Sequence, residues 1–350
     1  MTGLFEGLPG AVVTDGVLQH AGNPPVEQRM LADGEAVAIT GDRAVIAVSG
    51  EDRLSWLDSI TSQAVTALAP GESTELLVLD PHGHVEHVAG VVDDGETAWL
   101  LVDAGDAEAL LGWLLRMRFR LRVAPRLADE YVVAGAASAA SITAAAPADV
   151  PLVWHDPWPE VGPGGAGYAA PEGHPGLDRH WVEVLVTPDE AARLLRERPV
   201  AGALAVDALR IAAWRPRWAA EVDDRLIPHE VDWLRTAVHL DKGCYRGQET
   251  VAKVHNLGHP PRRLVALHLD GSEDVLPTRG DAVAIGDTEV GAVTSVARHF
   301  EEGPIALALV RRGADTSGPL TVLTADGPVA AAAAEIVPAA AGATASVPRL

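Results

Sequence analysis

Apolar and polar positions change period repeatedly along this 350-residue chain, and each change predicts an element. Residues 1–34 are turn-rich, with Pro9, Gly10, Pro24 and Pro25, and give little from which to assign an element. The β-branched run from Ala36 to Val48, broken at Gly41-Asp42, reads as a hairpin. After Gly50-Glu51-Asp52, Leu54, Leu57 and Ile60 recur at helical spacing. Glu75–Leu79, Val85–Val92 and Thr97–Val102 read as three strands of a meander, turned at Pro81-His82-Gly83 and Asp93-Asp94-Gly95. Asp106 is placed to cap a helix over Ala109–Leu115. Arg116, Arg118, Arg120 and Arg122 then alternate with Met117, Phe119, Leu121 and Val123, the period of a strand with one basic and one apolar face.

Ala134–Pro175 is rich in Ala, Pro and Gly and predicts loops around short elements. Trp181–Val186 is a strand, and Thr187-Pro188-Asp189-Glu190 is a capping box opening a helix to about Arg198. Further helices are expected over Ala203–Ala213 and His229–Leu240. Beyond Pro261, short apolar runs separated by glycine–aspartate turns have the pattern of a small barrel or sandwich. The Ala-rich end past Val337 reads as frayed. No internal repeat of fixed period is present.

Composition narrows the function classes. With 48% apolar and 22% charged residues, the chain is long enough for two or three folded domains. A formal net charge of −22 argues against a broad nucleic-acid footprint. One cysteine excludes an intramolecular disulfide framework and a cysteine-rich metal site, and fits a reducing cytosol. The N-terminus lacks the charged and apolar regions of a signal peptide, and no apolar run is long enough to cross a bilayer, so a cytoplasmic protein without membrane contact is expected. No nucleophile elbow, P-loop or dinucleotide fingerprint supports acyl transfer or nucleotide hydrolysis. His82, His84, Glu86 and His87 could be weighed as metal ligands, but they sit in a turn and on a strand without a helical partner motif, so an exposed turn and no metal is the expectation. The arginine alternation fits an anion site, for a polyglutamate tail or RNA, or a solvated sheet face; the solvated face is preferred.

The chemistry converges on Lys242-Gly243-Cys244-Tyr245-Arg246-Gly247-Gln248-Glu249. This stretch holds the only cysteine, and the only two lysines, Lys242 and Lys253, lie in or just after it. Lysine here, where arginine is used everywhere else, suggests a need for a compact ammonium. Lys242 and Arg246 would favour a thiolate at Cys244, and the glycines allow tight turns or close approach to a ligand. The alternatives are a tight helix connection with a buried cysteine, or a Cys/His pair with His229, His239, His255 or His259, which spacing alone does not establish.

KGCYRGQE resembles the signature of the YgfZ-type folate-binding proteins, relatives of the glycine cleavage T-protein. AVSGEDRLSWLDSITSQAVTALAPGESTELLVLDPHGHV, LLRMRFRLRVAP and DALRIAAWRP through HNLGHPPRRL are similar to family blocks in the same order. The resemblance implies an α+β fold of three T-protein-like domains: two α/β domains with antiparallel sheets and a C-terminal β-barrel, around a central folate cavity. Carried onto this chain, residues 1–44 and 127–260 would form a discontinuous folate-binding domain, 45–126 a ferredoxin-like domain, 261–337 the barrel and 338–350 a tail.

It further implies tetrahydrofolate or a derivative as cofactor, and a role in assembling or repairing iron–sulfur clusters in transient client proteins, including tRNA-modifying enzymes, without direct nucleic-acid binding. Cys244 would be the functional thiol, primed by Lys242. Arg210, Gly243, Tyr245, Gly247, Gln248, Glu249 and Trp214 would contact the folate, with Trp218 and Trp233 as further candidate walls. Two departures from the transferase pattern matter: His84–Val92 contains no aspartate, only Glu86 and His87, and Ala212 stands where a pterin-gripping glutamate is expected, with Trp214 where a glycine is usual. One-carbon transfer through Glu86 or His87, and an adaptor with a vestigial pocket, are the two alternatives.

Overall fold

The structure, a computed structural model, describes residues 3–345. The chain opens with a hairpin of β1 (Ala11–Thr14) and β2 (Val17–Ala21), then α1 (Pro24–Ala32) and the short β3 (Val37–Ala38). A first unit follows: β4 (Arg43–Ser49), α2 (Arg53–Ile60), β5 (Ser73–Leu79), β6 (Val85–Asp93), β7 (Thr97–Asp103), α3 (Ala107–Met117) and β8 (Ala124–Leu127). Its five strands form an antiparallel sheet in the order β5-β6-β7-β4-β8. Next come β9 (Val132–Ala136), β10 (Val153–His155), β11 (Val182–Val186), α4 (Pro188–Glu197), β12 (Val200–Ala201) and α5 (Ala203–Ala212). These complete a second sheet, β10-β11-β9-β3-β12, in which only β3 and β12 pair in parallel. After α6 (Trp218–Glu221), two 3-10 turns and α7 (Gln248–Leu257), the chain ends in a closed barrel of β13 (Arg262–Leu269), β14 (Ala282–Ile285), β15 (Thr288–His299), β16 (Gly303–Arg311), β17 (Leu320–Thr324) and β18 (Gly327–Glu335).

Strand alternation explains how the parts stack. On β4, Ile46 and Val48 lie under α2 and α3 with Trp56, Leu57 and Leu110, while Val45 and Ala47 face Leu152, Trp154 and Leu185 of the second sheet. The two sheets therefore share a core. On β13, Val265 and Leu267 fill the barrel, whereas Leu264 and Ala266 join Leu77, Trp233 and Val251 outside it.

The meander, α2, the Thr187-capped helix and the six-stranded barrel form as their periodicities predict; the Thr187 hydroxyl accepts the Glu190 N–H at 3.3 Å. Four expectations are corrected. Residues 36–48 are not a hairpin, because β3 pairs with β9 and β12 while β4 pairs with β7 and β8, so Gly41-Asp42 crosses between sheets. Residues 116–123 are not a strand: α3 runs to Met117 and a turn follows, with Phe119 at φ 45°. The helix expected over His229–Leu240 is broken into turns at Pro228–Val231 and Trp233–Arg235, because Asp232 is left-handed at φ 58° and uses its carboxylate on the Tyr168 N–H. The end past Val337 is packed: Ala341 is buried, and the N–H groups of Thr344 and Ala345 donate to His255 and Asn256 at the end of α7. The last five positions of the expected tail, 346–350, lie outside the described residues.

Candidate functional site

A cavity of about 100 Å³ opens where the two sheets meet α5 and the Arg215–Trp218 segment. Its wall carries five arginines (Arg43, Arg179, Arg210, Arg215, Arg217), five carboxylates (Asp42, Glu75, Asp103, Asp156, Glu183) and four tryptophans (Trp154, Trp181, Trp218, Trp233). Strand periodicity places them: Glu75 on β5, Val88 and Gly90 on β6, and Leu101 and Asp103 on β7 share the inward face. Two glycines make room for the indoles. A Cβ on Gly90 would lie 2.8 Å from Trp154, and one on Gly135 only 2.3 Å from Trp181.

Every carboxylate in this wall is ion-paired. Arg43 bridges Asp103 (3.2 Å) and Glu183 (2.8 Å). Arg217 binds Asp103 and, at 2.8 Å, Asp42. Arg215 binds Glu75 at 2.6 Å and Asp156 at 3.2 Å, and Arg179 binds Asp156 at 2.9 Å. Burial pushes Asp103 and Asp156 towards protonation, but Arg217 and Arg43 beside the first, and Arg215 and Arg179 beside the second, hold both below the usual carboxylate range. These acids stay ionised, and none is left as a free base.

Among the described residues, two buried donors on residues of the wall have no acceptor: Arg215 Nη1 and Trp233 Nε1. An unsatisfied buried donor costs about 1–3 kcal/mol, so a ligand that supplies an acceptor recovers that cost. Arg215 also packs on one face of the contacts around Trp158, with its guanidinium 5.1 Å from the indole centroid, and Arg235 stands at the same distance. Behind them His174 accepts from Arg235 at 2.6 Å; burial, with Arg235 adding to it, lowers its pKa to about 4, so it is neutral. Burial raises Asp232, close to Arg235, to about 6.

The residues expected to bind folate are divided by the structure. Arg210 borders the cavity, but its donors are occupied by Asp207 (2.9 Å), the Arg215 carbonyl (2.9 Å), Glu221 (3.3 Å) and Ser295 (2.9 Å), tying α5 to α6 and β15. Trp218 and Trp233 line the cavity; Trp214 does not, and packs edge-on against His174 at 5.2 Å. None of residues 242–249 lines it. Arg215, Glu75 and Asp156 were not singled out by sequence; the arginine–tryptophan run Trp214-Arg215-Pro216-Arg217-Trp218 was the available signal.

The KGCYRGQE stretch instead docks on the outer hairpin of the first sheet. Gly247, at φ 83°, lets the backbone pass so close to the Asp80–Gly83 turn that a Cβ would lie 2.7 Å from the Asp80 oxygen. Tyr245 is buried in the core shared with Leu79 and Val85. Gln248 donates to the Lys242 carbonyl at 3.3 Å, while Gly243, Cys244 and Glu249 are exposed. The Lys242 ammonium does not point to the thiol for a hydrogen bond: it caps the end of α2, donating to the carbonyls of Asp58, Thr61 (3.0 Å) and Gln63 (2.7 Å). Burial lowers its pKa, against the pull of Asp58. Arg246 pairs with Glu86 at 2.7 Å. Among the described residues no imidazole bonds to Cys244: His229 meets the Val251 carbonyl, His255 meets Tyr168, and His259 meets the Ala341 carbonyl.

One residue links loop and cavity. The register shift between Val78 and Leu79 leaves Glu86 in a β-bulge, which turns its side chain to Arg246 while its carbonyl accepts from Trp218 Nε1 at 2.9 Å. His87 lies on the opposite face, bound to Asp106 Oδ1 at 2.7 Å beside Trp113, which also explains why Asp106 does not cap α3 with its side chain.

Residues 262–339 match the family model for the glycine cleavage T-protein C-terminal barrel domain. A 94-residue stretch is 31% identical to a putative chloroplastic transferase of Arabidopsis thaliana, covering 27% of this chain and 21% of that protein's length. Glycine cleavage system aminomethyltransferase T from Bartonella henselae has a similar structure over 96% of both chains, with a TM-score of 0.72 and 16% identity. The architecture is therefore the three-domain fold of the glycine cleavage T-protein. No helix among the described residues is long and apolar enough to cross a membrane.

Proposed function

We propose that this chain binds tetrahydrofolate or a derivative in the central cavity without transferring its one-carbon unit, and supports iron–sulfur cluster assembly or repair in client proteins through Cys244. The observation that supports binding is the pair of orphaned donors, Arg215 Nη1 and Trp233 Nε1, in an aromatic and charged wall. A pterin presents carbonyl and ring-nitrogen acceptors to such donors, and amino groups to carboxylates such as Glu75 and Asp156. At about 100 Å³ the cavity is well below the roughly 300–1,000 Å³ that encloses a drug-sized ligand, so only the bicyclic head would be enclosed and the rest of a folate would run outward.

Proton transfer has no evident agent. The wall carboxylates are all paired with arginine, His87 faces away, and Glu86 is paired with Arg246. This favours binding over aminomethyl transfer. The iron–sulfur role rests on the resemblance of KGCYRGQE to the YgfZ-type signature and on its exposed, unbonded thiol, which a client could reach.

Calorimetry with reduced folates separates pocket from thiol. Trp233→Phe removes one orphaned donor together with part of a buried ring and is expected to weaken binding, Arg215→Met to weaken it at least tenfold, and Cys244→Ala to leave it unchanged. In cells lacking the native protein, Cys244→Ala is expected to fail to restore iron–sulfur enzyme activity. Wild-type affinity in a folded Arg215→Met variant refutes the cavity assignment, and full restoration by Cys244→Ala refutes the thiol role.

A further inference from the structure

The turn that follows α3 is unlike the rest of the surface. Within the seven residues from Leu115 to Leu121, Leu115, Phe119 and Leu121 are exposed, Phe119 by 82%. Arg116, Arg118 and Arg120 are exposed beside them, and none makes a side-chain hydrogen bond or ion pair among the described residues. On a chain of net charge −22, whose arginines otherwise commonly meet carboxylates, such a group of unpaired cations is unusual.

Ordinary structural roles account for part of it only. Arg116 and Arg118 complement the negative end of α3. That does nothing for Arg120, which lies beyond the helix, nor for a phenylalanine held outward in the left-handed region at φ 45°, a conformation unfavourable for a bulky residue. The base of the turn is anchored: the Met117 carbonyl accepts from Trp56 Nε1 at 3.1 Å, and the Arg122 N–H donates to Asp52 Oδ2 at 2.8 Å. The tip is thus presented by a fixed stem.

We infer that this tip is a docking site for a partner protein, which receives Phe119 and the flanking leucines in an apolar pocket rimmed by aspartate or glutamate. Charge complementarity identifies the rim, and a clustered aromatic with arginines is the composition that carries binding energy at protein interfaces. A membrane or a long nucleic acid is the less suitable occupant. Either presents an extended negative surface, which would bring Glu51 and Asp52 at the base of the tip, two acids that share the single cation of Arg122, and the acidic body behind them, within the screening length of about 8 Å. A shaped protein pocket touches the tip alone. The site is separate from the cavity: β4 runs from Arg43 in the cavity wall to Ser49, which pairs with Ala124 at the foot of the turn, a span of about 20 Å.

Photo-crosslinking in the full chain tests this. Benzoylphenylalanine is placed at position 119, or at Val161 as an exposed control, in the chain's native cells, and the crosslinked peptides are sequenced. The expected result is adduct on one protein from position 119 only, mapping to a segment with acidic residues around apolar ones, and reduced at least fivefold by R116S/R118S/R120S in a chain that stays folded, with hydrogen exchange altered only in the last turn of α3. The purified pair is then expected to lose at least tenfold in affinity with Phe119→Ser, and to weaken as salt rises. Adducts to lipid or nucleic acid, adducts shared with position 161, adducts insensitive to the arginine changes, or no adduct at all would overturn the inference.

Discussion

The two inner glycines of KGCYRGQE make a sharp comparison, because they lie four residues apart and the structure gives them opposite roles. Gly247 has φ 83°, and a Cβ there would stand 2.7 Å from the Asp80 oxygen and 3.0 Å from the Gly83 Cα, both backbone atoms that cannot swing aside. Gly243 has no atom within 4 Å of its virtual Cβ and is not in the left-handed region. Left-handed backbone costs a non-glycine residue roughly 1–2 kcal/mol, and parting the loop from the turn adds a similar amount. Gly247→Ala should therefore lose about 2–4 kcal/mol, which for domains of this size is a fall in melting temperature of roughly 5–15 °C. Gly243→Ala should change it by no more than about 1 °C, since surface substitutions away from special features stay within about 0.5 kcal/mol. Thermal melts of both variants, with hydrogen exchange across residues 80–87 and 242–250, read the effect and its location. If Gly247→Ala melts with the wild type, or Gly243→Ala falls as far, then the loop is not held by this contact and the docking described above is wrong.

Lys242→Met should leave the carbonyls of Asp58, Thr61 and Gln63 without their shared donor, costing on the order of 3 kcal/mol, and should loosen the end of α2 in hydrogen exchange even in a Cys244→Ala background. The acid limb of stability should be set by two buried imidazoles: burial lowers His174 to about 4 and His229 to about 3 from 6.5, so the unfolded chain binds protons that the folded chain refuses, and stability falls as pH drops below about 6.5. Melting temperatures of a His174→Gln/His229→Gln variant should show a shallower decline over that range, and an unchanged slope would refute the assignment. Asp232 should act in the opposite sense: burial raises it to about 6 from 3.8, so its ionisation costs stability as pH rises through about 4 to 6. Asp232→Asn, which keeps a residue suited to φ 58°, should be more stable than wild type at pH 7 by about 1–3 kcal/mol, as read by denaturant titration.

Most of the fold was legible wherever one period ruled a segment. The short apolar runs Glu75–Leu79 and Val85–Val92, bounded by turn residues, and the Thr187 capping box each dictate one local outcome. Legibility failed where tertiary contacts chose between outcomes. Arg116–Val123 has strand period, yet α3 continues through its first residues because Trp113 and Leu114 commit the helix to the sheet below. His229–Leu240 lacks a proline inside, yet Asp232 breaks it, a left-handed residue whose carboxylate accepts the N–H groups of Tyr168 and Ala169. At the site, the rarity of lysine marks Lys242 but not its target, since the open carbonyls at the end of α2 lie some 180 residues earlier in the chain. The cavity was hidden for the same reason: Glu75, Asp156 and Arg215 come from three distant segments, and only the folded sheets bring them together.

The cavity's charges also bear on what the fold can be used for. Five arginines against five carboxylates make a wall that is neutral when fully ionised; each acid is paired with an arginine, which cannot give up a proton, and Asp103 and Asp156 are held below the usual carboxylate range by theirs. Such a wall is poor at acid–base work, because removing a proton from a ligand would require a carboxylate to leave its arginine. It is well suited to orienting a flat polar ring, because its dipoles are fixed before the ligand arrives and two of its lining residues, Arg215 and Trp233, each keep a buried donor without a partner among the described residues. The exposed thiol sits on a separate loop that meets the wall through Glu86, by hydrogen bonds, and through Tyr245, which packs in the core that holds Trp233. If that connection matters, Glu86→Gln, which weakens the pairing with Arg246 but keeps the carbonyl for Trp218, should leave folate affinity unchanged while altering the rate at which Cys244 is alkylated in the folate-bound state. Equal alkylation rates with and without folate in the wild type would show that cavity and loop work apart.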